Sequence, residues 1–150
     1  MAETIAFASD HAAVDLKAAL LAFAREDGHD VIDLGPEGAV SVDYPDYGYR
    51  LARAIASGQA TRGVALCGSG IGISIAVNRD PACRAALVSE PLSAALAREH
   101  NDANVIAMGA RLVGPEMAKA CLAAFLATPF AGARHQRRVD MLSSQERQPA

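Results

Sequence analysis

The sequence of 150 residues has no tryptophan, 5% aromatic residues and three cysteines. Cys67, Cys83 and Cys121 are odd in number and show no CxxC spacing, which argues against a disulfide framework and against a structural zinc site. No apolar run reaches the roughly 18 residues of a membrane span. The first residues lack the basic leader and apolar stretch of a secretion signal. We therefore expect three free thiols in a cytoplasmic protein.

A strong charge of either sign is also missing. Lys and Arg number 14 and Asp and Glu 17, which gives a net charge of −3 at pH 7. This balance favours neither nucleic acid nor an acidic membrane surface, so a small molecule is the expected partner. Half of the residues are hydrophobic, as in soluble globular proteins with a real core. The length predicts one domain spanning residues 1–150.

Short apolar runs alternate with helical patterns along the whole chain. Strands are predicted at residues 4–8, 29–34, 63–67, 84–88 and 104–108. Helices are predicted at residues 12–27, 46–57, 71–77, 90–99 and 114–126, with a final helical segment at 133–145. This alternation predicts an α/β fold: a doubly wound, Rossmann-like α/β/α sandwich with a five-stranded parallel sheet and a C-terminal helix.

Polar residues and glycines follow the predicted strands. Asp10 and His11 come after the first strand, the segment 67–70 ends the third, Glu90 follows the fourth and Arg111 the fifth. Ligands of open parallel sheets bind beyond the carboxyl ends of the strands. We therefore predict that these groups gather at one rim of the sheet.

Two pairs of residues, Asp10–His11 and His100–Asn101, carry titratable groups in such loops. Taken alone, Asp10–His11 more often means a helix cap with an exposed histidine, and His100–Asn101, with Asp102 after it, also fits a polar loop at a helix end. General acid–base chemistry requires titratable groups that converge on one cleft. We therefore expect both pairs to lie at sheet-end loops around a common cleft.

The glycine loop that starts at Cys67 fits neither standard nucleotide motif. A Walker loop requires Lys and then Ser or Thr after its last glycine, and Gly72 is followed by Ile73. A dinucleotide fingerprint requires a glycine at its sixth position, which is also Ile73 when counted from Gly68. Glu90, further along the chain, keeps a dinucleotide site open as an alternative. Backbone N–H groups at a helix N-terminus favour an anion or an oxyanion.

Cysteine and arginine patterns leave two further questions open. Cys67 at this loop fits an activated thiolate that acts as base or nucleophile, and equally a buried cysteine that ends a strand. Cys83 and Cys121 lie among alanines and are predicted to be core or incidental thiols. Arg134 and Arg138 share one helix face, which fits a phosphate clamp but also a solvated basic surface.

Six motifs occur in order over nearly the whole chain: FASDHA, DYPDY, CGSGIGISIAVNR, EHNDANV, MGAR and GARHQRRV. In this combination the sequence closely resembles the ribose-5-phosphate isomerase B family, which includes isomerases of galactose 6-phosphate and allose 6-phosphate. The resemblance implies interconversion of an aldose phosphate and a ketose phosphate through an enediolate. It further implies that no metal and no organic cofactor takes part.

The resemblance also implies catalytic roles. Cys67 is similar to the base that moves a proton between C1 and C2 of the open-chain sugar, with Ser69 as an added donor where the family more often has Thr. A second branch of the family uses a glutamate base, but its position is Ile73 here, which favours the thiol. Asp10 and His100 match the acid–base pair that opens the sugar ring.

Substrate-binding roles follow from the same resemblance. Gly68, Gly70 and Gly72 match the family positions whose backbone surrounds the enediolate oxygens. The contacts to sugar hydroxyls match Tyr44 and Asn101. The phosphate-holding positions match His11, Arg111, Arg134 and Arg138.

Sites in this family are built across a dimer interface, so the resemblance implies a homodimer or a pair of dimers, and a role in the pentose phosphate pathway. Two alternatives remain open. In the first alternative, the chain is an isomerase of another sugar phosphate, such as erythrose or erythrulose 4-phosphate, allose 6-phosphate or galactose 6-phosphate. Otherwise, the chain is a module that binds a nucleotide or flavin on the same fold, because a fold does not fix a function.

Overall fold

The computed structural model describes residues 2–144 and contains one parallel sheet in that range. Its strands are β1 (Thr4–Ser9), β2 (Asp30–Asp33), β3 (Arg62–Cys67), β4 (Ala85–Leu87) and β5 (Val105–Gly109). They lie in the order β2-β1-β3-β5-β4, and every neighbouring pair is parallel. The predicted five-stranded parallel sheet is therefore confirmed.

Within the described range, six α-helices connect and follow the strands. They are α1 (Val14–Glu26), α2 (Tyr44–Ala56), α3 (Ile71–Val77), α4 (Pro91–Asn101), α5 (Pro115–Ala127) and α6 (Gln136–Ser144). Short 3₁₀ turns, His11–Ala13 and Ala133–His135, precede α1 and α6. The predicted helices are confirmed with small shifts of their ends, and residue 145 of the last one lies outside the described residues.

Alternate residues of each strand enter opposite cores. Ile5 and Phe7 of β1 pack in a core with side chains of α1, α4 and α5. Ala6 and Ala8 pack in a second core with side chains of α2 and α3. Successive side chains of a strand point to opposite faces, so helices cover both faces of the sheet. This arrangement confirms the doubly wound α/β/α sandwich.

The three cysteines are free, as the sequence predicts, and all three are buried. Cys83 lies in the core beneath α2 and α3, and Cys121 lies in the core on the opposite face. Burial raises the pKa of both thiols, and that of Cys83 rises from its ordinary 9.0 to about 11. Across residues 2–144, no helix is long and apolar enough to cross a membrane.

The raised pKa of Cys83 predicts a loss of stability at alkaline pH. Below pH 9 the thiol is protonated in both the folded and the unfolded state, so this group adds no pH dependence to the free energy of unfolding. Between pH 9 and 11 the unfolded chain releases this proton first, and the free energy of unfolding falls by about 2 kcal/mol. Urea unfolding at pH 8 and pH 10.5 should therefore show a smaller alkaline loss for Cys83→Ala than for the wild type. Equal losses would contradict the prediction.

Candidate active site

A cleft of about 630 Å³ opens where β1, β3 and β5 end. It is lined by eight of the residues that the sequence proposes for the site: Asp10, His11, Tyr44, Cys67, Gly68, Ser69, Gly72 and Arg111. We call this edge of the sheet the carboxyl rim. The prediction that the loops after these strands meet at one rim is confirmed for those residues.

Cys67 ends β3, and three residues separate it from Ile71, where α3 starts. Its side chain is 4% exposed, and its Sγ atom accepts the N–H of Gly70 at 3.1 Å. Gly70 has φ +77°, and a Cβ atom there would lie 2.6 Å from the carbonyl carbon of Met108, so the turn requires glycine. The turn therefore directs the N–H group of Gly70 at the sulfur atom of Cys67.

The glycine loop is fastened to the segment after β5. The N–H groups of Ala110 and Arg111 donate to the carbonyls of Cys67 and Gly68 at 2.9 and 3.0 Å. The guanidinium of Arg111 lies over Gly68, where a Cβ atom would stand 3.4 Å from its carbon. A fixed positive charge therefore lies beside the N–H groups that begin α3, and both favour an anionic ligand.

Asp10 and His11 also line the cleft. The Asp10 carboxylate is 9% exposed and accepts the N–H of Ala12 at 2.9 Å, which caps the 3₁₀ turn before α1. The Nδ1 atom of His11 accepts the N–H of Val42 at 3.1 Å. A neutral His11 therefore carries its proton on Nε2. No group of three metal-ligating side chains occurs anywhere in residues 2–144.

His100 and Asn101 do not reach this cleft within one chain. They end α4, which starts after the carboxyl end of β4 and returns to the amino end of β5. Asn101 accordingly shares a hollow with Arg84 and Ala85 at the start of β4. The expectation that both titratable pairs surround one cleft is wrong for a single chain, because a connecting helix runs antiparallel to the strands that it joins.

The last residues of α4 belong to a second cluster at the opposite edge, the amino rim. The rings of His100 and His135 stack with centroids 4.5 Å apart, and the N–H of Ala131 donates to the carbonyl of Glu99 at 3.0 Å. Desolvation and the charges of His100, Arg134 and Arg138 lower the pKa of His135. We call His100, Asn101, Arg134, His135 and Arg138 the amino-rim cluster.

Sequence reasoning missed His135 and the residues that hold the end of α4. Asp102 has a left-handed φ of +46° and accepts from Arg98 at 2.8 Å and from Arg84 at 3.3 Å. Arg98 is 4% exposed and also donates to the carbonyl of Ala103 at 2.6 Å. The position of Asp102 directly after His100 and Asn101 was the available signal for a helix end fixed by charge.

Known proteins resemble this chain over almost its whole length. The family model described as Ribose/Galactose Isomerase matches residues 5–142. Ribose-5-phosphate isomerase B of Escherichia coli K12 is 44% identical over 142 residues, 95% of each chain. D-Erythrulose-4-phosphate isomerase of Pectobacterium atrosepticum is 40% identical over 147 residues, covering 97% of this chain and 96% of that protein. The structure of Clostridium thermocellum ribose-5-phosphate isomerase B superposes with a TM-score of 0.93 at 42% identity, over 95% and 96% of the two chains.

Proposed function

Because the chain belongs to the Ribose/Galactose Isomerase family, we propose that it interconverts ribose 5-phosphate and ribulose 5-phosphate by proton transfer through an enediolate. The observation that carries this proposal is the cleft at the carboxyl rim. There a thiol that accepts a backbone N–H lies beside a helix N-terminus and an arginine. These groups supply a base and stabilise the negative charge that the base creates.

The proton transfer starts from the open-chain aldose. The Cys67 thiolate removes the proton from C2, and the electron pair moves towards the C1 carbonyl to form the enediolate. The thiol then returns the proton to C1 while the proton of the C2 hydroxyl moves to the oxygen on C1, which leaves a hydroxyl at C1 and a ketone at C2. N–H groups at the start of α3 and the hydroxyl of Ser69 stabilise the enediolate oxygens. Base and donors are all side-chain or backbone groups of the protein, so the proposed step requires no cofactor.

The two ends of the substrate need different groups. His11 and Arg111 provide donors for the phosphate in the cleft. Tyr44 also lines the cleft and is suited to a sugar hydroxyl. Asp10 is the cleft residue proposed for ring opening, for which His100 is the second group. Because His100 lies at the amino rim, this step requires another chain.

We therefore propose a homodimer in which the amino-rim cluster of one copy completes the cleft of the other. His100 and Asn101 then reach the sugar, and Arg134 and Arg138 reach the phosphate. Apolar side chains at the cleft support this arrangement: Ile71 is 50% exposed, Ile75 58% and Leu112 71%. Exposed apolar groups of this kind mark surfaces that another protein covers. A single chain would then lack full activity.

A four-carbon substrate is the second candidate. One relative is by name an isomerase of D-erythrulose 4-phosphate, and its identity to this chain is close to that of the ribose-5-phosphate isomerase B from E. coli. The proton transfer would be the same, since it involves only C1 and C2. The distance between those carbons and the phosphate would differ.

With ribose 5-phosphate as substrate, the protein acts in the cytoplasm in the pentose phosphate pathway.

The substrate proposal is tested with a panel of aldose phosphates of four, five and six carbons. Purified protein is assayed with a chelator present, and kcat/KM is compared across the panel. We expect the highest value for ribose 5-phosphate. A preference for another chain length would reassign the substrate. Absence of turnover for every sugar would contradict the isomerase proposal, and bound flavin or nucleotide in the absorbance spectrum would then favour a binding module.

A further inference from the structure

Tyr44 and Gly72 are in direct contact where α2 and α3 cross. A Cβ atom on Gly72 would lie 2.5 Å from Cζ and 2.6 Å from Cε2 of the Tyr44 ring. One turn further along α2, a Cβ atom on Gly48 would lie 2.8 Å from Cβ of Ala76. Real Cβ atoms do not approach other atoms this closely. Each helix therefore uses one glycine to admit the other, and the ring of Tyr44 fills the space at Gly72.

The backbone does not explain the glycine at position 72. Gly72 is the second residue of α3, and its φ is outside the left-handed region that favours glycine. Alanine is the better helix former at such a position. The absence of a side chain at position 72 instead leaves room for the ring of Tyr44, which a Cβ atom would push away from α3.

We propose that Gly72 is a positioning residue for Tyr44. Because residue 72 has no side chain, the phenol ring can pack directly against the start of α3. In this position the ring lines the cleft together with Cys67 and Asp10. The position of the Tyr44 hydroxyl relative to a bound polyol is then set by residue 72. This inference rests on the proposed function only for the statement that Tyr44 contacts the substrate.

The proposal differs from the role that the resemblance implies for Gly72, which is backbone contact with the enediolate. Backbone contact acts on the reacting carbons and would change kcat whether or not Tyr44 is present. Placement of Tyr44 acts on the binding of the sugar hydroxyls and would change KM through the phenol alone. The two roles therefore differ in both the kinetic parameter and its dependence on Tyr44.

A double-mutant cycle of Gly72→Ala and Tyr44→Ala separates these roles, with kcat and KM measured for ribose 5-phosphate. We expect Gly72→Ala to lower kcat/KM about tenfold, mainly by raising KM, because misplaced binding groups are costly. In the Tyr44→Ala background, the same substitution should change kcat/KM by less than about twofold. An equal fall of kcat in both backgrounds would overturn the proposal. Gly38→Ala is the matched control, since nothing lies within 4 Å of its Cβ position.

Thermal unfolding of the same four proteins provides a readout that does not depend on activity. Gly72→Ala should change Tm less favourably when Tyr44 is present than when the ring has been removed. An equal change of Tm in both backgrounds would overturn the proposal. If the wild type turned over no sugar phosphate, the proposed function would fail while this cycle still tested the contact.

Discussion

Replacing Cys67 by alanine is expected to lower kcat for ribose 5-phosphate about 10³-fold to 10⁴-fold. The expectation follows from the proposed role of this thiolate as the only base for the transfer between C1 and C2, since a positioned general base contributes up to about 10⁴-fold. The substitution removes a single sulfur atom at the end of β3 and leaves the N–H groups of α3 in place. Substrate binding, measured by KM or by the affinity for a non-reacting sugar phosphate, should therefore change little.

The other two cysteines provide matched controls for this experiment. Cys83 and Cys121 are buried in the two cores and do not line the cleft, so Cys83→Ala and Cys121→Ala should retain kcat. Folding of each variant is checked by its thermal unfolding. Near-normal turnover by Cys67→Ala, together with complete loss in Asp10→Asn, would contradict the assignment of Cys67 as the base. Iodoacetate should also inactivate the wild type, and bound substrate should slow that reaction.

Co-expression of two inactive variants is expected to restore activity. Cys67→Ala lacks the proposed base in the cleft, and His100→Asn lacks the ring-opening group in the amino-rim cluster. If each site combines the cleft of one chain with the cluster of another, random pairing of equal amounts gives about a quarter of intact sites. The mixed preparation should therefore show about a quarter of the wild-type kcat per chain, and each variant alone should show 1% or less.

The matched control pairs Cys67→Ala with the double variant Cys67→Ala/His100→Asn. No combination of these two chains contains an intact cleft, so their mixture should remain inactive. Mass spectrometry of the intact complexes establishes that the chains have mixed. Mixed complexes that stay inactive would refute the shared site. A fully active His100→Asn variant would refute the role of this histidine.

The sequence predicted the fold because its signals are local. Apolar runs and helical spacing fix where each strand and helix lies, and alternation along β1 sends Ile5 and Phe7 to one core and Ala6 and Ala8 to the other. Glycine and proline breaks fixed the ends of helices to within a few residues. Differences arose at caps, as where the Asp10 carboxylate holds a 3₁₀ turn before α1.

The part of the candidate site that lies at the carboxyl rim was predictable for the same local reason. Asp10, Cys67 and Arg111 follow or end their strands directly, so parallel strands bring them to one rim regardless of the order of the strands. The sequence also contained the signal that separates His100, because that residue precedes β5 and follows no strand. Its significance depends on the direction of α4, which only the connected sheet makes explicit.

Sequence alone determined the alternating α/β architecture and the loops that form the cleft. It also contained the motifs that resemble the ribose-5-phosphate isomerase B family. Tertiary structure decided that the proposed site residues divide between two opposite rims, that His135 stacks on His100, and that the Tyr44 ring fills the space at Gly72. These are contacts between residues distant along the chain, fixed by strand order, helix direction and the separation of packed helices. Spacing along a sequence reports none of those quantities, because they arise only when the elements pack together.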